Sequence, residues 1–240
     1  MTELNRRDVL TRASLIAAAT MIPVAFGATA ADAEGRPDGK KISPESALKA
    51  LKSGNLRHRH GKSIRKSYAP KGEALSKGQW PIAAIVGCAD SRVHPDEIFD
   101  IAPANLFVVR NAGNVIDDDV LGSLEYAVEH LGVELIVTCG HSLCGAVKAT
   151  EAVVLGGNLP GGHINNLVEK IRPALDALPV GHTLQQAVTA NSKQSAQRAL
   201  NDSEILVEAK LAGKLHVVSA TYSLVNKKVY FYNEATVTPA

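Results

Sequence analysis

The sequence predicts an α/β fold: a mostly parallel central sheet with helices packed around it and an antiparallel strand at one edge. Three observations predict it. Residues 82–86, 106–109 and 135–137 are short, continuously apolar runs without in-and-out alternation, the pattern of strands buried on both faces. Segments of helical periodicity separate them, and strands joined by helices run parallel. The last two candidate strands, residues 215–222 and 228–231, are instead joined by a short turn around Asn226 and Lys227, which makes them an edge hairpin.

Size and charge narrow the choice of partner. The chain has 240 residues, 45% hydrophobic and 21% charged, which suits one α/β domain rather than several small ones. Lys and Arg number 26 against 24 Asp and Glu, a net charge of +2, so no strong field favours nucleic acid or anionic lipid. A small ligand fits better.

Residues 1–33 read as a twin-arginine signal peptide and residues 34–240 as the single mature domain. Asn5-Arg6-Arg7-Asp8-Val9-Leu10-Thr11 precedes an Ala-rich apolar run over residues 13–30, followed by the small-residue pattern Ala31-Asp32-Ala33. The run is too short and mild for a stable membrane span. The expected location is therefore the periplasm, or otherwise outside the cytoplasm.

The mature chain is then taken in order. Ser43 and Pro44 form a helix start, with Ala47, Leu48, Ala50 and Leu51 on one face up to Gly54. Residues 57–72 are rich in Arg, Lys and His and read as solvated surface rather than as a grip on an anion or a subunit. The strand at 82–86 delivers Cys88, and the strand at 106–109 ends in Arg110-Asn111-Ala112-Gly113-Asn114, which has turn chemistry. Residues 123–131 read as a helix closed by Gly132. The strand at 135–137 leads to Cys139-Gly140-His141, and a helix follows over residues 144–154. Residues 156–162 are Gly-rich but lack the strand-to-helix context of a phosphate loop. Helices are expected over residues 164–178 and 184–210.

Two short motifs carry the chemistry: Cys88-x-Asp90-x-Arg92 after one strand and His141-x-x-Cys144 after another. Ligands collect beyond the carboxyl ends of parallel strands, where both motifs fall. Two thiols, an imidazole and a carboxylate are donors that Zn²⁺ accepts. The spacing of His141 and Cys144 lets a loop residue and a first-turn residue face one atom, and the helix amino terminus favours the Cys144 thiolate. Asp90 either closes the fourth position or is held off the metal by Arg92. Cys139 reads as a core cysteine, and three cysteines without a C-x-x-C arrangement do not suit a thiol-disulfide enzyme. His94 and His163 read as surface or loop residues, His94 near enough to the mouth of the site that it could relay protons.

Cys-Ala-Asp-Ser-Arg from Cys88 to Arg92 and Gly-His-Ser-Leu-Cys-Gly from Gly140 to Gly145 resemble the two signature motifs of the β-class carbonic anhydrases, in their plant-like branch. The resemblance extends from about Gln79 to Val147 and, more weakly, through the last strands. It implies the β-carbonic anhydrase fold and one Zn²⁺ per subunit held by Cys88, His141 and Cys144. Asp90 and Arg92 would be the catalytic dyad that orients zinc-bound hydroxide for reversible hydration of carbon dioxide to bicarbonate. Gln79, Phe107, Tyr126 and the Gly145 amide would bind substrate, some of them from a neighbouring subunit of a homodimer or larger homo-oligomer.

Departures from the family pattern are informative. A branch that shuts its site when bicarbonate fills a second pocket carries Trp where this chain has Ile85, and Arg110 and Tyr222 match the rest of that pocket only loosely. An open site without that inhibition is therefore expected. Ala89 and Ala146 replace the commoner Ser and Gly without removing a needed donor. A hydrolase of carbonyl sulfide or carbon disulfide would share this site, and a structural zinc module would need neither Arg92 nor a pocket.

Overall fold

The structure, a computed structural model, describes residues 41–64 and 75–237. The expected signal peptide and residues 65–72 of the basic stretch lie outside the described residues. Five strands form one sheet in the order β2-β1-β3-β4-β5. These are β1 (Ala84–Cys88), β2 (Phe107–Asn111), β3 (Leu135–His141), β4 (His216–Tyr222) and β5 (Val229–Glu234). The first four run parallel, and β5 returns antiparallel to β4, as expected.

The apolar runs behave as their composition dictates. Ile85, Val137 and Val218 face one core, while Ala84, Val86, Ile136 and Val217 face a second core on the other side of the sheet. Each fully buried aliphatic side chain contributes about 1.5–3 kcal/mol, so neither face tolerates solvent. Helix α1 (Pro44–Arg59), α4 (Gly145–Val154) and α5 (Ile164–Asp176) cover the first face through Ala47, Leu51, Val147 and Ile171. Helix α3 (Asp118–Glu129) and α7 (Glu204–Leu211) cover the second through Val120, Leu124 and Leu206. Helix α6 (Leu184–Asn201) supplies both.

Helix boundaries differ from the expected ones at three places, each for a local reason. Gly54 does not end α1, because there it permits a close approach: a Cβ would lie 1.6 Å from the Phe99 carbonyl oxygen. Helix α3 starts five residues earlier than residue 123, capped by the Asp117 carboxylate accepting from Val120 N. The helix expected over residues 184–210 is two helices, because Ser203 caps a new one at Glu204. One further turn, α2 (Pro95–Ile98), is too short to carry a periodic signal.

The basic stretch is also less solvated than expected where it is described. Arg57 Nε donates to the buried Asp100 carboxylate at 2.5 Å, and Asn55 in the preceding turn donates to the carbonyls of Ile98 and Lys227. Asn55 also accepts from Val229 N at 2.9 Å, so α1 is fastened to both α2 and the start of β5.

Candidate metal centre

Register places the motifs side by side. Cys88 ends β1 opposite Asn111 of β2, and His141 ends β3 opposite Tyr222 of β4. Between His141 and Cys144 the chain turns tightly, with Leu143 at φ +60°, a left-handed conformation that costs a non-glycine residue about 1–2 kcal/mol. Cys144 then caps α4. The strained turn brings both side chains of His141-x-x-Cys144 to one point.

The Sγ atoms of Cys88 and Cys144 lie 4.0 Å apart, and the ligand atoms of Cys88, His141 and Cys144 all fall within 4.8 Å of one another. Tetrahedral Zn²⁺ with Zn–S near 2.3 Å separates two sulfurs by about 3.8 Å, so the spacing fits. His141 supplies a second test. Its Nδ1 lies 3.0 Å from the Ser142 carbonyl oxygen, which only accepts, so Nδ1 carries the proton and Nε2 keeps a lone pair. That Nε2 is buried without a hydrogen-bond partner, an orphan that a metal ion would satisfy.

The thiols are poised for the same purpose. Hydrogen bonding between the facing sulfurs brings Cys88 below the ordinary thiol value and pushes Cys144 above it, so the pair shares one proton until a cation displaces it. The Gly113 amide donates to Cys88 Sγ at 3.4 Å, and the amides of Val147 and Ala146 at the start of α4 face Cys144. By contrast, burial alone raises Cys139 to about 12, in keeping with a core cysteine.

Asp90 is held off this cluster. Arg92 donates from Nε to Oδ1 at 2.9 Å, from Nη2 to Oδ2 at 2.7 Å and from its backbone amide to Oδ1 at 2.9 Å. These bonds hold the carboxyl well below the usual carboxylate range. Asp90 Oδ2 still lies 3.7 Å from His141 Nε2, close enough to accept from a group bound beside the cluster.

Three supports escaped the sequence. Arg110 donates to the carbonyls of Cys88 and Asp90 at 2.9 and 2.7 Å and so fixes the first motif; its third nitrogen faces exposed His94 at 3.3 Å. Gly113, at φ +80°, leaves no room for a Cβ beside Ile171 and is held through its carbonyl by Asn191 at 2.8 Å. Only the pairing of Cys88 with Asn111 reveals these neighbours, because they are distant in sequence. The polar residues of α6 that meet them carry no motif.

The substrate residues are dispersed within one chain. Gly145 opens α4 beside Cys144, in place to offer its amide. Gln79 is exposed ahead of β1. Phe107 and Tyr126 do meet, with ring centroids 6.3 Å apart, but at the start of β2, four residues from the Cys88 level. Ile85 and Tyr222 line a cavity of about 10 Å³, room for one water at most, and its described lining contains no Arg, Lys, Asp or Glu.

A buried Cys₂His set on parallel strand ends, with a carboxylate clamped beside it rather than ligated, defines the site of a metal-dependent enzyme rather than a closed structural metal knot. The comparisons give the family. The carbonic anhydrase family model matches residues 83–229. Carbonic anhydrase 2 of Mycobacterium tuberculosis is 41% identical over 76% of this chain and 89% of its own length. A carbonic anhydrase of Mycolicibacterium smegmatis is 38% identical over 78% of this chain and 92% of its own. The Coccomyxa β-carbonic anhydrase, solved with acetazolamide, superposes with a TM-score of 0.59 at 26% identity, covering 79% of this chain and 85% of that one. The chain belongs to the carbonic anhydrase family, and its fold is that of the β class.

Proposed function

We propose that this protein is a carbonic anhydrase that interconverts carbon dioxide and bicarbonate, with Zn²⁺ held by Cys88, His141 and Cys144. One observation carries the proposal: a buried, partnerless His141 Nε2 facing two thiols, beside an Asp90 that Arg92 keeps from completing the set. Bound zinc would act as a Lewis acid that makes water a nucleophile near neutral pH. Asp90 would accept a hydrogen bond and set the direction of attack. Arg92 keeps Asp90 ionised and turned away from the cluster, while Gly113 and the first amides of α4 stabilise the thiolates.

Gln79, Phe107, Tyr126 and the Gly145 amide complete the substrate pocket in this proposal, the aromatic pair and Gln79 reaching a neighbouring subunit's site. A homodimer or larger assembly of the plant-like type then follows. What supports it is the half-exposed strand β2, which lies at a sheet edge with Tyr126 48% exposed beside it. Residues 1–33 would direct export by the twin-arginine route, with residues 34–240 as the mature domain in the periplasm. Among the described residues no helix is long and apolar enough to cross a membrane.

The test is stopped-flow hydration of carbon dioxide by the zinc-loaded mature chain, with carbonyl sulfide and carbon disulfide offered in parallel and acetazolamide as an inhibitor. Rapid hydration that acetazolamide suppresses is expected, rising toward alkaline pH because two thiolates make zinc a weaker acid. Full zinc occupancy without hydration would overturn the proposal, and turnover of the sulfur substrates alone would replace it with the hydrolase.

A further inference from the structure

The mechanism leaves unused the part of α1 that carries the basic stretch, and a second cavity opens there. It has a volume of about 460 Å³ and runs between α1 and β5. Small-molecule sites occupy about 300–1,000 Å³. Nine described residues line it, of which Lys52, Arg59 and Lys228 are cationic and none is acidic.

The cations are preorganised. Lys52 Nζ lies 5.5 Å from the centre of the Phe231 ring, and Lys228 Nζ lies 4.6 Å from that of Tyr230. An ammonium on a ring face keeps its other N–H donors for a ligand, and its side-chain freedom is already reduced. Tyr230 is itself fixed by Asn226 Nδ2 donating to its hydroxyl at 3.0 Å. Asn55 joins the two walls through Val229 N, so the groove does not depend on a flexible loop.

Arg59 supplies a second observation. Its Nε is buried without a hydrogen-bond partner, in a wall whose described residues offer no carboxylate. A buried charged donor left unmade is costly, and rotation of the Arg59 side chain into the groove would let an oxygen of a bound anion recover that cost.

We propose that this groove is a binding site for a small multivalent oxyanion, a diphosphate or a polycarboxylate, held by Arg59, Lys52 and Lys228. A single-charged anion would leave two of the three cations unanswered. The site is separate from the metal centre. It opens on α1 and β5, whereas the metal ligands end β1 and β3 and begin α4.

Calorimetric titration of the zinc-loaded protein with pyrophosphate, citrate and chloride at matched ionic strength tests it. Saturable one-site binding of pyrophosphate or citrate but not chloride is expected, and the tighter of the two identifies a phosphate or carboxylate ligand. Arg59→Gln combined with Lys228→Gln should weaken binding at least about tenfold, the loss expected when charge-assisted hydrogen bonds are removed. The unfolding midpoint and the rate of carbon dioxide hydration should not change. Non-saturable binding, or binding unaltered in the double variant, would overturn the proposal. So would a change of oligomeric state in that variant without anion binding, which would make the groove an interface between copies.

Discussion

Strands β1 and β3 are buried along their whole length and end in candidate metal ligands, whereas β2, hydrogen-bonded to β1 in the same sheet, is half-exposed throughout. The two regions differ in what finishes them. At the ends of β1 and β3 one chain brings together three donors within 4.8 Å, using only its own turns and amides. Along β2 and α3 the same chain sets Phe107, packed on the core, against Tyr126 and leaves the Tyr126 ring half-exposed. A metal centre can be completed by local motifs on buried strands. A pocket wall on a sheet edge needs a second surface.

The largest expected effect falls on the metal end. Cys144→Ser replaces a buried thiol, which zinc would bind as a thiolate, with a hydroxyl that does not ionise, so the site should lose zinc and the rate should fall to background. Metal analysis of the purified variant beside stopped-flow hydration checks this. Full activity with stoichiometric zinc would show that the ligand set is misassigned.

Next comes the clamp. Arg92→Gln removes the bonds that hold Asp90 ionised and turned away, and loss of such an orienting partner costs roughly 10–100-fold. The sign of the pH effect follows from the lowered Asp90 value. The pair's contribution to stability is present above the ordinary carboxylate range and lost as pH falls through the depressed value. Without Arg92 the carboxyl protonates at higher pH, so acid unfolding and the acid limb of activity should both move upward. An unshifted acid limb with unchanged activity would mean that Asp90 needs no clamp.

A smaller effect tests the edge. Tyr126→Ala removes an exposed ring whose stacking on Phe107 contributes about 0.5–1.5 kcal/mol beyond its area. Zinc content and the circular dichroism spectrum should stay as they are, while the assembly weakens and kcat/KM falls several-fold. Sedimentation velocity and kinetics on the same samples decide. A monomer of full activity would erase the contrast between the two regions, because the pocket would then need no partner.

The same contrast explains what the sequence made legible. Apolar runs without alternation gave the parallel strands, and Asn226-Lys227 gave the hairpin, because burial and turns are local properties. Cys88, His141 and Cys144 were readable as one cluster because Cys88 and His141 close neighbouring strands and Cys144 follows His141 by one tight turn, and Asp90 with Arg92 because two residues of one turn must meet. Arg110 and Gly113 were not readable as supports, since their roles arise from the register of β2 on β1. Gly54 resembled a helix stop, because sequence does not show that Phe99 approaches it. Gln79, Phe107 and Tyr126 were placed by family resemblance, and the start of β2, where Phe107 and Tyr126 meet, lies four residues from the Cys88 level.

The smallest effect separates a ligand from its neighbour in the same strand. Cys139 lies two residues before His141 in β3, fully buried, with its thiol raised to about 12 by burial. A thiol raised in the folded state costs nothing below its ordinary value near 8.5 and removes stability as pH climbs from there toward the raised value. Cys139→Ala should therefore bind zinc and turn over like the parent, and lose about 1 kcal/mol at neutral pH through the small cavity. That deficit should shrink as pH rises from 8 to about 10.5, because the variant has no thiol to ionise on unfolding. Urea unfolding across that range measures it. A deficit that stays constant would place the raised thiol outside the stability balance, and a loss of zinc would extend the metal centre one residue pair down β3.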